Sequence, residues 1–114
     1  MEELFSKIKG YVKMDTEISA EEFMGYYKAV IDKLTADFEK MTEDEMLKAK
    51  IITSIVAANA ATRAKRKTAD SKKFKKAHEK SNFWTGAIDY RLTKSGLSEE
   101  EISRRSKELE DTLQ

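Results

Sequence analysis

The groups able to do chemistry in this chain are few: one histidine, no cysteine, and twenty-one carboxylates spread over 114 residues. His78 is the sole imidazole, so a histidine-based metal site would need acidic ligands on the same helical face. The residues three and four positions from it are Phe74, Lys75, Ser81 and Asn82, none of them acidic. Its place beside Phe74, Ala77 and Ser81 predicts a histidine satisfied at the edge of a core. Without cysteine there is no thiolate nucleophile, no disulfide framework and no Cys-containing zinc site. Neither a glycine-rich phosphate loop nor a G-x-S-x-G elbow occurs.

The carboxylates concentrate where helices should start. Ile18-Ser19-Ala20-Glu21-Glu22-Phe23, Met41-Thr42-Glu43-Asp44-Glu45-Met46 and Leu97-Ser98-Glu99-Glu100-Glu101-Ile102 share one pattern. In each, a Ser or Thr can accept the backbone N–H three residues on, and the Glu at that position can reach back to the cap. An apolar residue on either side closes a hydrophobic staple. Acidic residues in these first turns also meet the positive end of the helix dipole. Glu22, Glu45 and Glu101 are therefore expected to cap rather than to catalyse. The chain reads as non-enzymatic, with no catalytic residue, metal ligand or cofactor expected.

Charge is segregated although its total is only +1. Residues 63–80 hold nine Lys and Arg against two Asp and Glu, a net of +7, while the rest of the chain is net −6. The basic residues are Arg63, Lys65, Arg66, Lys67, Lys72, Lys73, Lys75, Lys76 and Lys80. On a helix, Lys72, Lys76 and Lys80 form a ladder of like charge, each step costing roughly 0.2–0.5 kcal/mol without a counter-charge. One reading is a solvated face that offsets acidic helices of the same bundle. The other is a docking surface for a polyanion, either an acidic protein or the phosphates of DNA or RNA. Phe83 and Trp84 follow closely and could stack on bases if exposed. Their position on the apolar stripes of the same helix places them in the core.

The stretch Ile88 to Arg105 resembles the helix-turn-helix pattern, with Gly96 in the turn, Leu97 after it, a Ser98 cap and Ile102 five residues beyond Leu97. That resemblance implies a second helix that reads DNA. The pattern departs at Leu92, where it wants a small residue, and at Arg105, where it wants an apolar one. The second helix would also open with Glu99, Glu100 and Glu101, which phosphates repel. The segment reads as a helix hairpin whose Gly and Ser are caps.

The apolar periodicities predict an all-α, single-domain bundle of four or five helices over about 2–14, 20–40, 43–68, 71–95 and 99–113. Nothing around Thr68-Ala69-Asp70-Ser71 forbids one continuous helix through that point. Gly96 is the expected left-handed residue that ends the fourth helix. The third is dense in small residues from Thr53 to Ala64, which permits close helix approach, and Asn59 within it either fixes register or lies at the core's edge. The last helix carries a narrow stripe of Ile102, Ser106, Leu109 and Leu113, spaced like a coiled-coil seam, so self-association through Ile102, Leu109 and Leu113 is one expectation. The N-terminus mixes charge into every turn and no run approaches the ~20 apolar residues of a membrane span. A soluble cytoplasmic protein is expected. Its function is expected to be that of a regulator, inhibitor or accessory subunit that shows its basic face to an acidic protein. The alternatives are a non-specific nucleic-acid-binding module and a structural oligomer.

Overall fold

Local capping decides where the chain turns helical. In the computed structural model, which describes residues 1–113, Thr42 and Ser98 each form both bonds of a capping box, with Glu45 and Glu101 returning to the cap. Ser19 makes half of that device. Its hydroxyl accepts the Glu22 N–H at 3.1 Å, while the Glu22 carboxylate stays in solvent. The helices are α1 (Glu2–Val12), α2 (Ala20–Asp37), α3 (Glu43–Ala64), α4 (Ser71–Lys94) and α5 (Glu99–Asp111). A 3-10 turn, Phe38–Lys40, follows α2.

All five helices end short of the spans expected from periodicity, α2 and α3 by the most. The α2 helix stops at Asp37 because Arg91 of α4 donates to the Phe38 and Glu39 carbonyls and stacks on the Phe38 ring at 5.0 Å. This holds the next turn in the tighter 3-10 form. The α3 helix stops at Ala64, and Lys67 turns left-handed at φ 53°. That residue breaks what the sequence left open as one continuous helix. At the far end of α4, Gly96 adopts φ 105°, Leu97 N–H bonds to Leu92 O and Gly96 N–H to Thr93 O. This is the Schellman pairing expected of a glycine there.

The frame is the antiparallel pair α3–α4. Its register can be read from four contacts: Glu43 with Ser95, Lys50 with Asp89, Thr53 with Thr85, and Ala57 with His78. As residue numbers rise along one helix they fall along the other. The facing surfaces are built of small side chains, Ala49, Thr53, Ala57 and Ala60 on α3 and Ala77 and Ser81 on α4, all buried. Thr53 and Thr85 close the polar gap with a hydroxyl pair at 2.7 Å. Leu47, Ile51, Ile52, Ile88 and Leu92 fill the remainder, each fully buried and each contributing about 1.5–3 kcal/mol.

The remaining helices cover this pair. The α1 helix lays Phe5 and Ile8 on the core, and Lys48 of α3 pairs with Glu2. The α2 helix adds Phe23, Tyr26, Val30 and Leu34, and Tyr26 donates to Leu4 O at 2.8 Å. The α5 helix packs on α3, with Arg105 Nη1 3.2 Å from a Glu43 carboxylate oxygen. Its stripe serves this fold. Ile102 and Leu113 are buried in the common core and Leu109 packs against it, so the stripe expected to face a second copy is covered within the chain. The five helices form one compact globule measuring 43 × 26 × 23 Å.

Candidate functional site

The bundle uses one face of α4 and leaves the other bare. Phe74, Ala77, Ser81, Ile88 and Leu92 point inward. On the opposite side Lys72, Lys76, Phe83 and Tyr90 fall within about 40° of one another around the helix axis. They form a single outward ridge. Phe83 is 67% exposed and Tyr90 65% exposed, which corrects the expectation that Phe83 lies in the core. The cause is that α4 sits at the edge of the bundle, where α3 covers one side of it. Trp84, one position round, is half-buried and meets Phe38 edge-on at 5.3 Å. Phe83 in turn rests edge-on against Trp84 at 5.8 Å. An exposed aromatic is thus braced by a partly buried one.

Eight of the nine basic residues singled out from sequence are exposed. Lys72, Lys73, Lys75, Lys76 and Lys80 are exposed on α4, and Lys65, Arg66 and Lys67 are exposed on the turn before it. Two of the eight have acidic partners. Arg66 grips the Glu17 carboxylate with both terminal nitrogens, one at 3.0 Å, and this holds the Glu17 carboxyl below its usual range. Lys73 stands 3.9 Å from Asp70. Among the described residues no carboxylate pairs with Lys65, Lys67, Lys72, Lys75, Lys76 or Lys80. The idea that this charge is neutralised within the bundle therefore accounts for little of it. Glu79 is the one acidic residue on the exposed arc, between Lys76 and Phe83.

Arg63 does not belong to this face. It is 6% exposed, donates from Nη2 to Ile18 O at 2.7 Å, and stacks between Phe23 (4.8 Å) and Phe74 (5.7 Å). Its role is to fasten the α1–α2 loop to α3. The sequence neighbourhood of Lys65, Arg66 and Lys67 disguised this, because Ile18 lies 45 positions upstream.

His78 behaves as expected of a satisfied histidine. Its Nδ1 lies 2.8 Å from Ala57 O and its Nε2 3.2 Å from Asn82 Nδ2, so Nδ1–H donates and Nε2 accepts. Both ring nitrogens are engaged, and no grouping of metal-ligating side chains occurs among the described residues. Asn59 is exposed and donates to Ile55 O of its own helix at 3.0 Å, so it does not set the register between helices. The residues missed from sequence are Phe83 and Tyr90 as surface groups. Their signal was the helical wheel itself, which places them opposite Phe74 and Leu92. No helix is long and apolar enough to cross a membrane. No family model, curated protein or solved structure matches the chain, so its functional reading rests on this geometry.

Proposed function

We propose that this chain is a non-catalytic interaction protein, cytoplasmic in setting, that docks the outer face of α4 and the preceding turn onto an acidic partner protein. One observation carries the reading: four α4 lysines without acidic partners, Lys72, Lys75, Lys76 and Lys80, share the exposed side of the helix with an aromatic ridge. Aromatic side chains supply buried contact area at protein interfaces, and a charged surround steers association and sets partner choice. Phe83 and Tyr90 would fill apolar recesses of the partner, and the lysines would meet carboxylates around them. A regulator, inhibitor or accessory subunit needs no more than this.

The same ridge supports a second reading, non-specific binding of single-stranded nucleic acid, because exposed Phe83 can stack on a base while lysines follow the backbone. The extent of positive charge favours the protein partner. The basic surface reaches no further than Lys94 beside Tyr90 at the end of α4, and the chain outside residues 63–80 is net −6, including Glu99, Glu100 and Glu101 just past the α4 C-terminus. A long polyanion would run from the lysines into repulsion, whereas a compact acidic groove would not.

The test is fluorescence anisotropy with three labelled probes: an acidic peptide containing apolar residues, single-stranded DNA and duplex DNA, each across a salt series. The proposal expects peptide binding that Phe83→Ala and the combined Lys72, Lys73, Lys75 and Lys76→Ala variant both weaken. Nucleic-acid binding through about five phosphates would give a slope near −3.5 in log affinity against log salt on single strands. That slope, with no peptide binding, would replace the leading reading by the second.

A further inference from the structure

On the side of the bundle away from the α4 ridge, a cavity of about 280 Å³ opens between the end of α1, the loop after it, α2 and α3. It is roughly twice the ~150 Å³ apolar cavity that accepts benzene and lies at the small end of ligand-site volumes. Ile8, Val12, Phe23, Ile55 and Val56 give it apolar walls.

Among the polar residues that border the cavity, two carry a buried atom without a partner. The Tyr11 hydroxyl is buried and has no hydrogen-bond partner within the fold. Arg63 lines the same cavity, is more than nine-tenths buried, and its Nε–H has no acceptor. Its guanidinium is permanently charged, yet no carboxylate among the described residues pairs with it. Glu17, whose field reaches Arg63, is bound by Arg66. The residues bordering the cavity therefore include a cation, an unused N–H and an unused O–H, the last two closed to solvent in the structure. Charge-assisted hydrogen bonds to a carboxylate complete such a set best.

We infer that this cavity binds a small monocarboxylate with an apolar body, an aryl or branched-chain alkanoate, anchored by Arg63 and Tyr11. The apolar walls take the body, and the carboxylate accepts from Arg63 Nε–H and the Tyr11 hydroxyl once rotation of these two side chains opens their closed polar atoms to the cavity. Asp15 and Glu17 border the cavity and are exposed, with Glu17 held by Arg66. None of the α4 lysines lines the cavity, so the site stands or falls separately from the docking face.

Nuclear magnetic resonance titration of the full chain at physiological salt tests the inference, with benzoate, 3-phenylpropionate and isovalerate as probes and 3-phenylpropionamide as the neutral control. Saturable shifts should centre on Tyr11, Ile55, Val56 and the Arg63 Nε–H, with the amide about tenfold weaker than its acid, as expected for one lost charge-assisted bond. Tyr11→Phe keeps the ring and its edge contact with Tyr26, so it should fold normally and weaken 3-phenylpropionate about fivefold. Equal affinity for acid and amide would overturn the carboxylate assignment. Shifts centred on Lys72–Lys80, or no saturable shift with any probe, would overturn the site. Undiminished binding to Tyr11→Phe would overturn the anchoring on which the proposal depends.

Discussion

Replacing Arg63 separates a structural from a docking role for the first residue of the basic segment. The guanidinium donates to Ile18 O, and a hydrogen bond from a charged group contributes about 1.5–3 kcal/mol. Its cation contacts with Phe23 and Phe74 add about 0.5–1 kcal/mol each. Against these stands the desolvation of a charge that lacks a carboxylate, which its removal relieves. We predict that Arg63→Ala costs about 3 kcal/mol, whereas Lys65→Ala, fully on the surface two residues away, stays within about 0.5 kcal/mol. With a urea m-value near 2 kcal/mol/M, the Arg63→Ala midpoint falls by about 1.5 M. Arg63→Met, which keeps an apolar stem between the two rings, should recover part of the loss. Paired urea denaturations of the three variants make the comparison. If Arg63→Ala and Lys65→Ala unfold at the same urea concentration, the buried placement of Arg63 is wrong and it returns to the exposed face.

Other expectations follow from single contacts. Ser98→Ala, which breaks a complete capping box, should cost about 1 kcal/mol, and Ser19→Ala, which removes half of one, should cost less; thermal denaturation ranks them. Burial, with Tyr11 close by, pushes the Tyr26 phenol well above its ordinary value of 10.0. The unfolded chain therefore loses that proton first, so stability is held below pH 10 and lost above it; Tyr26→Phe should flatten the alkaline limb of a stability–pH curve. Ile102→Ala should destabilise by about 2–4 kcal/mol with no change of mass in light scattering, and a change of mass at constant stability would restore the stripe to an interface between copies. Lys67→Gly should stabilise by up to about 1 kcal/mol, since a left-handed backbone costs a lysine about that much, and a loss of stability on urea titration would contradict it.

Whatever depends on four or five consecutive residues could be read in advance, and whatever depends on a distant neighbour could not. The Thr42 and Ser98 caps and the Gly96 stop are local devices, and all three occur where their residue types put them. The satisfied state of His78 could be read because an i+4 asparagine and a facing helix backbone suffice for it. Arg63 went astray because its partners, Ile18 and Phe23, lie in another part of the chain. Phe83 went astray because a helical wheel gives direction but not how many neighbours wait there. The α5 stripe shows the same limit: its width says that it needs one surface, and only the fold shows that surface to be α3. The cavity had no sequence signal, since Tyr11 and Arg63 come to border one space only once α1 has docked on α3.

The two faces of α4 bear different loads, and that difference gives the docking proposal its physical basis. On the inner face Ser81 is buried in the seam, Thr85 bonds to Thr53, and Asp89 pairs with Lys50 at 2.8 Å. On the outer face, Lys72, Lys76 and Lys80 repel at each helical step by roughly 0.2–0.5 kcal/mol. The fold supplies them no ion-pair partner, whereas some acidic residues have one, as Glu17 has in Arg66 and Asp37 in Lys33. An exposed phenylalanine beside them adds an aromatic group that water solvates poorly. Charge repulsion and exposed apolar area are both relieved by one event, the arrival of a negative surface with an apolar recess. Phe83→Ala is therefore the decisive substitution for the proposed function. It should leave stability within about 0.5 kcal/mol, because the ring is mostly in solvent, and still weaken partner binding by about tenfold. A variant that binds as tightly as the parent would leave only diffuse electrostatics on this face, and the partner would then be chosen by charge alone.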